Sequence, residues 1–200
     1  MKLFGRKKEK SKPQRHEFCD IPIGSMIELS DTTTFALEEE TTQTFELRAY
    51  KKYEAEGFLR YMYQLVNNEE VILGVNMDTS TGDHQLARFV VDSEEEFSEP
   101  LGDSIVMEFD DPENEGEVVE LEYIRKDVIN TKMTLVTADG AEEYDDVELL
   151  EYSAEDDTFL SVEIWESWVT FFLGEAIEKG DANVFPIETD EETGKEQKRN

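Results

Sequence analysis

One cysteine and two histidines in 200 residues set the first limits on what this chain can do. A lone Cys19 cannot form an intramolecular disulfide, which fits a reducing compartment. Two distant histidines, His16 and His84, and that single thiol cannot build a usual zinc site. No metal and no cofactor is therefore expected. The sequence has no G-x-S-x-G elbow, no G-x-x-x-x-G-K-[ST] and no G-x-G-x-x-G. The carboxylate of Asp20 raises the pKa of the neighbouring Cys19 thiol, which makes it a poor nucleophile. Apolar runs are short: the longest, Trp168 to Gly174, is broken by Thr170 and falls far below the roughly 20 residues of a membrane span. The basic start MKLFGRKKEK has no apolar stretch behind it, so no secretory leader is expected.

What the chain has in abundance is negative charge. Nineteen basic residues face 50 acidic ones, a formal net charge of −31. Such a surface repels nucleic-acid phosphates and anionic lipid, and nucleic acid is excluded as a partner. The charge is unevenly placed. Residues 1–15 carry Lys2, Arg6, Lys7, Lys8, Lys10, Lys12 and Arg15 against Glu9 alone, a net +6, which leaves −37 on the remainder.

That asymmetry divides the chain. Residues 1–17 have no apolar periodicity and read as a flexible basic arm, and 188–200 read as a polar tail. Residues 18–187 form the expected globular domain, with two related lobes, 18–100 and 101–187, as an open alternative. Within it, Met26–Leu29, Thr44–Tyr50, Phe58–Tyr63, Val71–Val75, Ile105–Phe109, Val118–Tyr123, Met133–Thr137, Val147–Tyr152 and Phe159–Ile164 are short β-branched or aromatic runs between turn-like segments. Thr44–Tyr50 alternates, with Phe45, Leu47 and Ala49 on one face and Glu46, Arg48 and Tyr50 on the other. Glu163–Lys179 breaks the series. Its polar residues recur near a period of 3.6, with Trp165, Trp168, Val169, Phe172, Leu173 and Ala176 opposite, and Gly180 follows. The expected class is thus β-rich α+β: antiparallel sheets with one C-terminal amphipathic helix. A faint internal echo runs through it. Ser25–Leu29 resembles Ile105–Phe109, and Tyr63–Val75 resembles Leu150–Val162, at offsets of 80 and 87 residues.

The run FLRYMYQLVNNEEVILGVNMD, preceded by IPIGSMIELSD and by the basic MKLFGRKK, resembles the start of the YjfK-like family of bacterial proteins of uncharacterised function. The likeness rests on the early I-G-x-x-I-E-L element and on an aromatic strand, a polar turn and an apolar strand in succession. It covers about half the chain. It implies a bacterial, cytoplasmic, β-rich protein with a link to envelope stress, and it supplies no catalytic residues.

Asp111-Pro112-Glu113-Asn114-Glu115-Gly116, followed by Glu122 at the twelfth place, matches the ligand spacing of a calcium loop. Positions three and five carry Glu where the shorter Asp or Asn is usual, and the flanks are strand-like, so an acidic hairpin loop is the expectation. The 50 acidic residues are too many for sequence to nominate a glycosidase pair. The function expected is non-catalytic: a cytoplasmic accessory or adaptor protein that binds another protein. The candidate contact residues are Trp165, Trp168 and Phe172 on the helix and Lys2, Arg6, Lys7 and Lys8 on the arm. Two alternatives stay open. One is a hydrolase or carbohydrate-active enzyme with acidic residues in a cleft. The other is a membrane-peripheral protein recruited to an anionic surface through residues 1–15.

Overall fold

Each of the nine β-branched or aromatic runs lies in a strand. The computed structural model describes residues 17–30, 42–97, 99–110, 114, 117–155 and 158–187. Among these are eleven strands: β1 (Met26–Ser30), β2 (Thr42–Ala55), β3 (Phe58–Val66), β4 (Glu70–Asp78), β5 (His84–Glu96), β6 (Ser104–Asp110), β7 (Val118–Thr137), β8 (Gly140–Ser153), β9 (Thr158–Trp165), β10 (Trp168–Ile177) and β11 (Ala182–Phe185). They form one sheet in the order β11-β1-β2-β3-β4-β5-β10-β9-β8-β7-β6, and β2 also pairs with β7. That extra pairing joins eight strands, β2 to β5 and β7 to β10, into a closed ring in which every neighbour is antiparallel.

Two strands are long because each serves two partners. Residues Thr42–Glu46 of β2 pair with β1, while Tyr50–Glu54 pair with β7. Val118–Ile124 of β7 pair with β6, while Lys132–Val136 return to β2. The sheet therefore buries three cores. The interior core takes side chains from all eight strands of the ring, among them Tyr53, Met62, Ile72, Phe89, Met133, Leu149, Phe159 and Phe172. The other two lie on the outer face. One packs Ile27, Phe45, Tyr61, Tyr63, Leu73 and Leu86 with Phe18 and Ile21. The other packs Tyr123, Leu150, Leu160, Val162 and Phe171 with Leu101 and Met107.

This arrangement overturns the expected α+β class, because Glu163–Lys179 is not a helix. It is the end of β9, a two-residue turn and β10, and Trp165 is the direct cross-strand partner of Trp168. Glu166 makes the turn with φ of 55°. The only helical turn among the described residues is the short 3-10 turn Lys179–Asp181. The reason lies in the burial of β10. Val169, Phe171 and Leu173 enter the outer core, while Phe172 and Gly174 face the interior. A strand buried on both faces shows no polar alternation, so its scattered polar residues can mimic a helical stripe.

The ring repeats itself in outline. β1–β5 and β6–β10 hold equivalent places in the strand order, with β2 against β7 and β5 against β10 at the two seams. The offset of 87 sets β3 on β8 and β4 on β9. Carried through the hydrogen-bonded registers, it sets Met26 on Ser104, an offset of 78, where the sequence echo has 80. A shift of two residues keeps the same faces inward.

At one seam Phe89 lies directly opposite Gly174. A Cβ added at Gly174 would stand 2.5 Å from the Phe89 ring and 2.6 Å from Phe159. Gly174→Ala is therefore expected to lower stability by about 1–3 kcal/mol in urea denaturation, as overpacking does. Gly180→Ala, with nothing within 4 Å of its added Cβ, should stay within about 0.5 kcal/mol of the parent. Equal midpoints for the two variants would contradict the packing at the seam.

Candidate functional site

Inside a closed ring every second residue of a strand must face the interior, and apolar side chains do most of the filling. Among the described residues, four charged side chains that are buried or half-buried inside the ring break that pattern. Arg60 sits among the apolar residues of β3, Glu151 near the end of β8, Glu163 in β9 and Lys51 in β2. Glu163 is fully buried and Arg60 is 3% exposed. The Lys51 ammonium lies 2.5 Å from Glu163 Oε1, and the Tyr53 hydroxyl donates to Glu163 Oε2. Arg60 Nη1 donates to Glu151 Oε1 at 2.6 Å and to Ser161 Oγ at 2.9 Å, while its Nε donates to Asn76 Oδ1 at 2.6 Å. Ser161 in turn donates to Glu151 Oε1 at 2.8 Å.

Two cations and two carboxylates are thus matched inside the ring. Burial, then the negative charge and acceptor bond of Glu163, push the Tyr53 phenol well above its ordinary range. Tyr53 is therefore a neutral donor, unsuited to act as a base. Both oxygens of Glu163 are occupied, and Glu151 already accepts from Arg60 and Ser161. The chemistry this arrangement favours is structural.

The ring has two unequal mouths. Asn76, Gln85, Ala87, Glu151, Phe159 and Ala176 line a cleft of about 730 Å³, with Glu178 and Lys179 also on its walls. Lys51, Gln64, Glu70, Ile72, Val91 and Phe172 line a smaller recess of about 140 Å³. Where the narrow mouth has Phe172 and Val91, the places equivalent by strand register in the wide one hold Ala87 and Ala176. Smaller side chains leave the wide mouth open.

An aromatic row stands at the narrow-mouth end. Trp168, at the start of β10, is flanked on one side by Trp165 and on the other by Glu96 of β5, each its direct cross-strand partner. Trp165 packs edge-on against Tyr144 of β8, with ring centroids 4.8 Å apart and planes at 73°. Tyr144 donates to Glu142 Oε2 at 2.7 Å. That bond, with burial and the charges of Glu142 and Glu166, raises the Tyr144 pKa. Phe97 N donates to Ser167 O at 2.7 Å and ties the end of β5 to the β9–β10 turn. Trp168 remains 50% exposed.

The expected contact residues therefore separate. Trp165 and Trp168 are neighbours in the row, whereas Phe172 is buried in the ring interior. Lys2, Arg6, Lys7 and Lys8 lie outside the described residues, as does His16. His84 begins β5, half-buried, with its ring 5.8 Å from that of Phe18. Burial, then Asp20, raises the pKa of the Cys19 thiol. Of the calcium-like spacing, residues 111–113, 115 and 116 lie outside the described residues, and Glu122 stands on β7 opposite Val106. Sequence reasoning missed Lys51, Tyr53, Arg60, Tyr144, Glu151 and Glu163. The available signal was a single charge placed in phase with the inward residues of an apolar strand, as in FLRYMYQLV and TFLSVEIW.

Glu163→Ala would leave the Lys51 ammonium and the Tyr53 hydroxyl without their buried acceptor, and about 3–5 kcal/mol of stability should be lost in urea denaturation. Replacing the pair together, Lys51→Met with Glu163→Leu, should cost clearly less. A second expectation concerns alkali. Burial is the first cause of raised phenol pKa values at Tyr53, Tyr61 and Tyr63. Unfolded phenols release their protons near pH 10 while these folded ones keep theirs, so their contribution is complete below pH 10 and is lost as the pH rises beyond it. Unfolding free energies measured from pH 8 to 11 should fall above 10; a flat profile would contradict the burial of these hydroxyls. Comparison of the chain with protein-family models, with curated proteins and with solved structures finds no match.

Proposed function

We propose that this protein is a non-catalytic accessory or adaptor protein of the bacterial cytoplasm that works by contacting another protein, with the link to envelope stress that the family resemblance implies. The observation that carries the reading is the half-exposed indole of Trp168 at the end of a row of aromatic rings. Tryptophan and tyrosine are enriched among the anchor residues of protein interfaces, and a row of them with one indole half in water offers such an anchor. The adaptor reading is favoured over a hydrolase that works with a carboxylate pair, because that chemistry needs a carboxylate free to exchange a proton in the cleft. In the wide mouth Glu151 is engaged by Arg60 and Ser161, and the other acidic residue on the wall, Glu178, is exposed. No helix among the described residues is long and apolar enough to cross a membrane.

The test uses a photo-crosslinking amino acid placed at position 168 of the full chain in its native cell, with position 120 as a control on a distant strand. Discrete adducts from 168 and none from 120 are expected. No adduct from 168, together with a hydrolytic activity abolished by Glu151→Gln, would replace this reading with the enzymatic one. Trp168→Ala should meanwhile lower the melting temperature by no more than about 2–4 °C, because half of the side chain already lies in water. A larger loss in a thermal melt would make Trp168 a core residue rather than a contact residue.

A further inference from the structure

The chemistry around the aromatic row narrows the partner further, and this inference rests on the protein-contact reading above. Glu96 flanks Trp168 on β5, Glu166 forms the adjoining turn, and Glu142 holds the Tyr144 hydroxyl. Glu166 also lies near enough to Tyr144 to act on it electrostatically. The half-exposed Trp168 therefore stands among carboxylates. Of the ammonium groups on the neighbouring strands, Lys51 inside the ring is engaged by Glu163, and Lys132 is paired with Asp145.

We propose that the row formed by Tyr144, Trp165 and Trp168 binds a lysine- or arginine-rich segment of a partner protein, with a cationic side chain laid over the indole of Trp168 and its neighbours paired to Glu96 and Glu166. The π face of an aromatic ring attracts a cation, and tryptophan does so best. Adjacent carboxylates supply the charge-assisted hydrogen bonds that guanidinium and ammonium groups require. An anionic or purely apolar segment gains nothing from those carboxylates and would be repelled or left dry against them.

The chain's own basic segment is a poor occupant in cis. Phe18 packs beside His84, at the opposite end of β5 from Glu96. Twelve residues of strand separate His84 from Glu96, a path of about 40 Å. The ten residues from Lys8 to Phe18 span at most about 36 Å when fully extended. Lys7 and Lys8 thus approach the row only with the segment near full stretch, and although Arg6 and Lys2 lie farther along the chain, holding the whole segment extended along the body is opposed by chain entropy. A second copy would bring one chain of net charge −31 against another. A separate basic partner meets neither obstacle.

The experiment titrates hexa-arginine into the full chain at low salt, followed by tryptophan fluorescence and calorimetry. The same titration is made with Trp168→Ala, with the pair Glu96→Gln and Glu166→Gln, and with the pair Glu108→Gln and Glu120→Gln. The last two residues face each other on β6 and β7, away from the row. Saturable one-to-one binding is expected, weakened about tenfold or more by Trp168→Ala and by the first glutamine pair, and changed less than about twofold by the second. The glutamine variants truncate nothing, so they report on recognition even where the alanine variant loses stability. Unaltered binding by Trp168→Ala, or equal losses from both glutamine pairs, would overturn the proposal in favour of general charge attraction. Concentration-dependent self-association that disappears on deleting residues 1–15 would also overturn it, with a second copy as the occupant. Crosslinking from position 168 without any peptide binding would reject the basic partner while leaving the protein-contact reading intact.

Discussion

Five residues of β2, Tyr50 to Glu54, pair with Val136 to Lys132 of β7, and the rest of the molecule depends on that seam. Without it the sheet would be open, and the inward side chains of eight strands would face water. With it, Met62, Ile72, Phe89, Leu149 and Phe172 meet in one interior core. The seam also explains the lengths of β2 and β7, since each must serve the ring at one end and a flanking strand at the other. Among the described strands, closure leaves only β11 and β6, the two ends of the strand order, with a single partner strand, which is how a long antiparallel sheet limits edge-to-edge association.

Closing the ring also forces the treatment of charge inside it. A buried ion is tolerated only when paired and hydrogen-bonded, and Arg60 with Glu151, and Lys51 with Glu163, meet that requirement. Asn76, Ser161 and Tyr53 take up further hydrogen-bonding capacity. Polar networks of this kind impose register, because a slip of one residue would turn Arg60 or Glu163 to the wrong face. Among the described residues the other acidic side chains are exposed or half-buried, so their negative charge is a property of the surface, while the two ion pairs inside the ring balance. The two mouths differ through a few side-chain volumes, Ala87 and Ala176 against Phe172 and Val91.

The strands legible in the sequence were those bounded by turn residues, such as β1, β3 and β4, even though β3 and β4 are covered on both faces. Even there the details moved. A bulge between Leu47 and Ala49 shifts the phase of β2, so Tyr50 rather than Ala49 packs toward the outer core beside Tyr61 and Tyr63. β5 escaped notice because its second half, Asp92 to Glu96, is polar and exposed, which resembles a loop in a chain so rich in carboxylates. β10 was mistaken for a helix because, with both its faces covered, its few polar residues and those of the preceding turn happen to recur near a helical period. Of the candidate site, Trp165 and Trp168 were legible as paired aromatics, but Phe172 was grouped with them by a helical spacing the strand does not have. Tyr144 could join the row only when β8 came to lie beside β9.

Local composition by itself determined the β-rich character of the chain, its acidic surface, the basic arm and most strand positions, because alternation, β-branching and turn residues act over a few neighbours. The tertiary structure alone decided that the sheet closes, that Glu163–Lys179 is a hairpin, and that Lys51 meets Glu163 and Arg60 meets Glu151. Closure and the two ion pairs depend on pairings between residues about 80 to 110 positions apart, so no local window contains both partners. The β9–β10 hairpin pairs residues 3 to 17 positions apart, and there it was the scattered polar residues of a strand buried on both faces that gave a helical period.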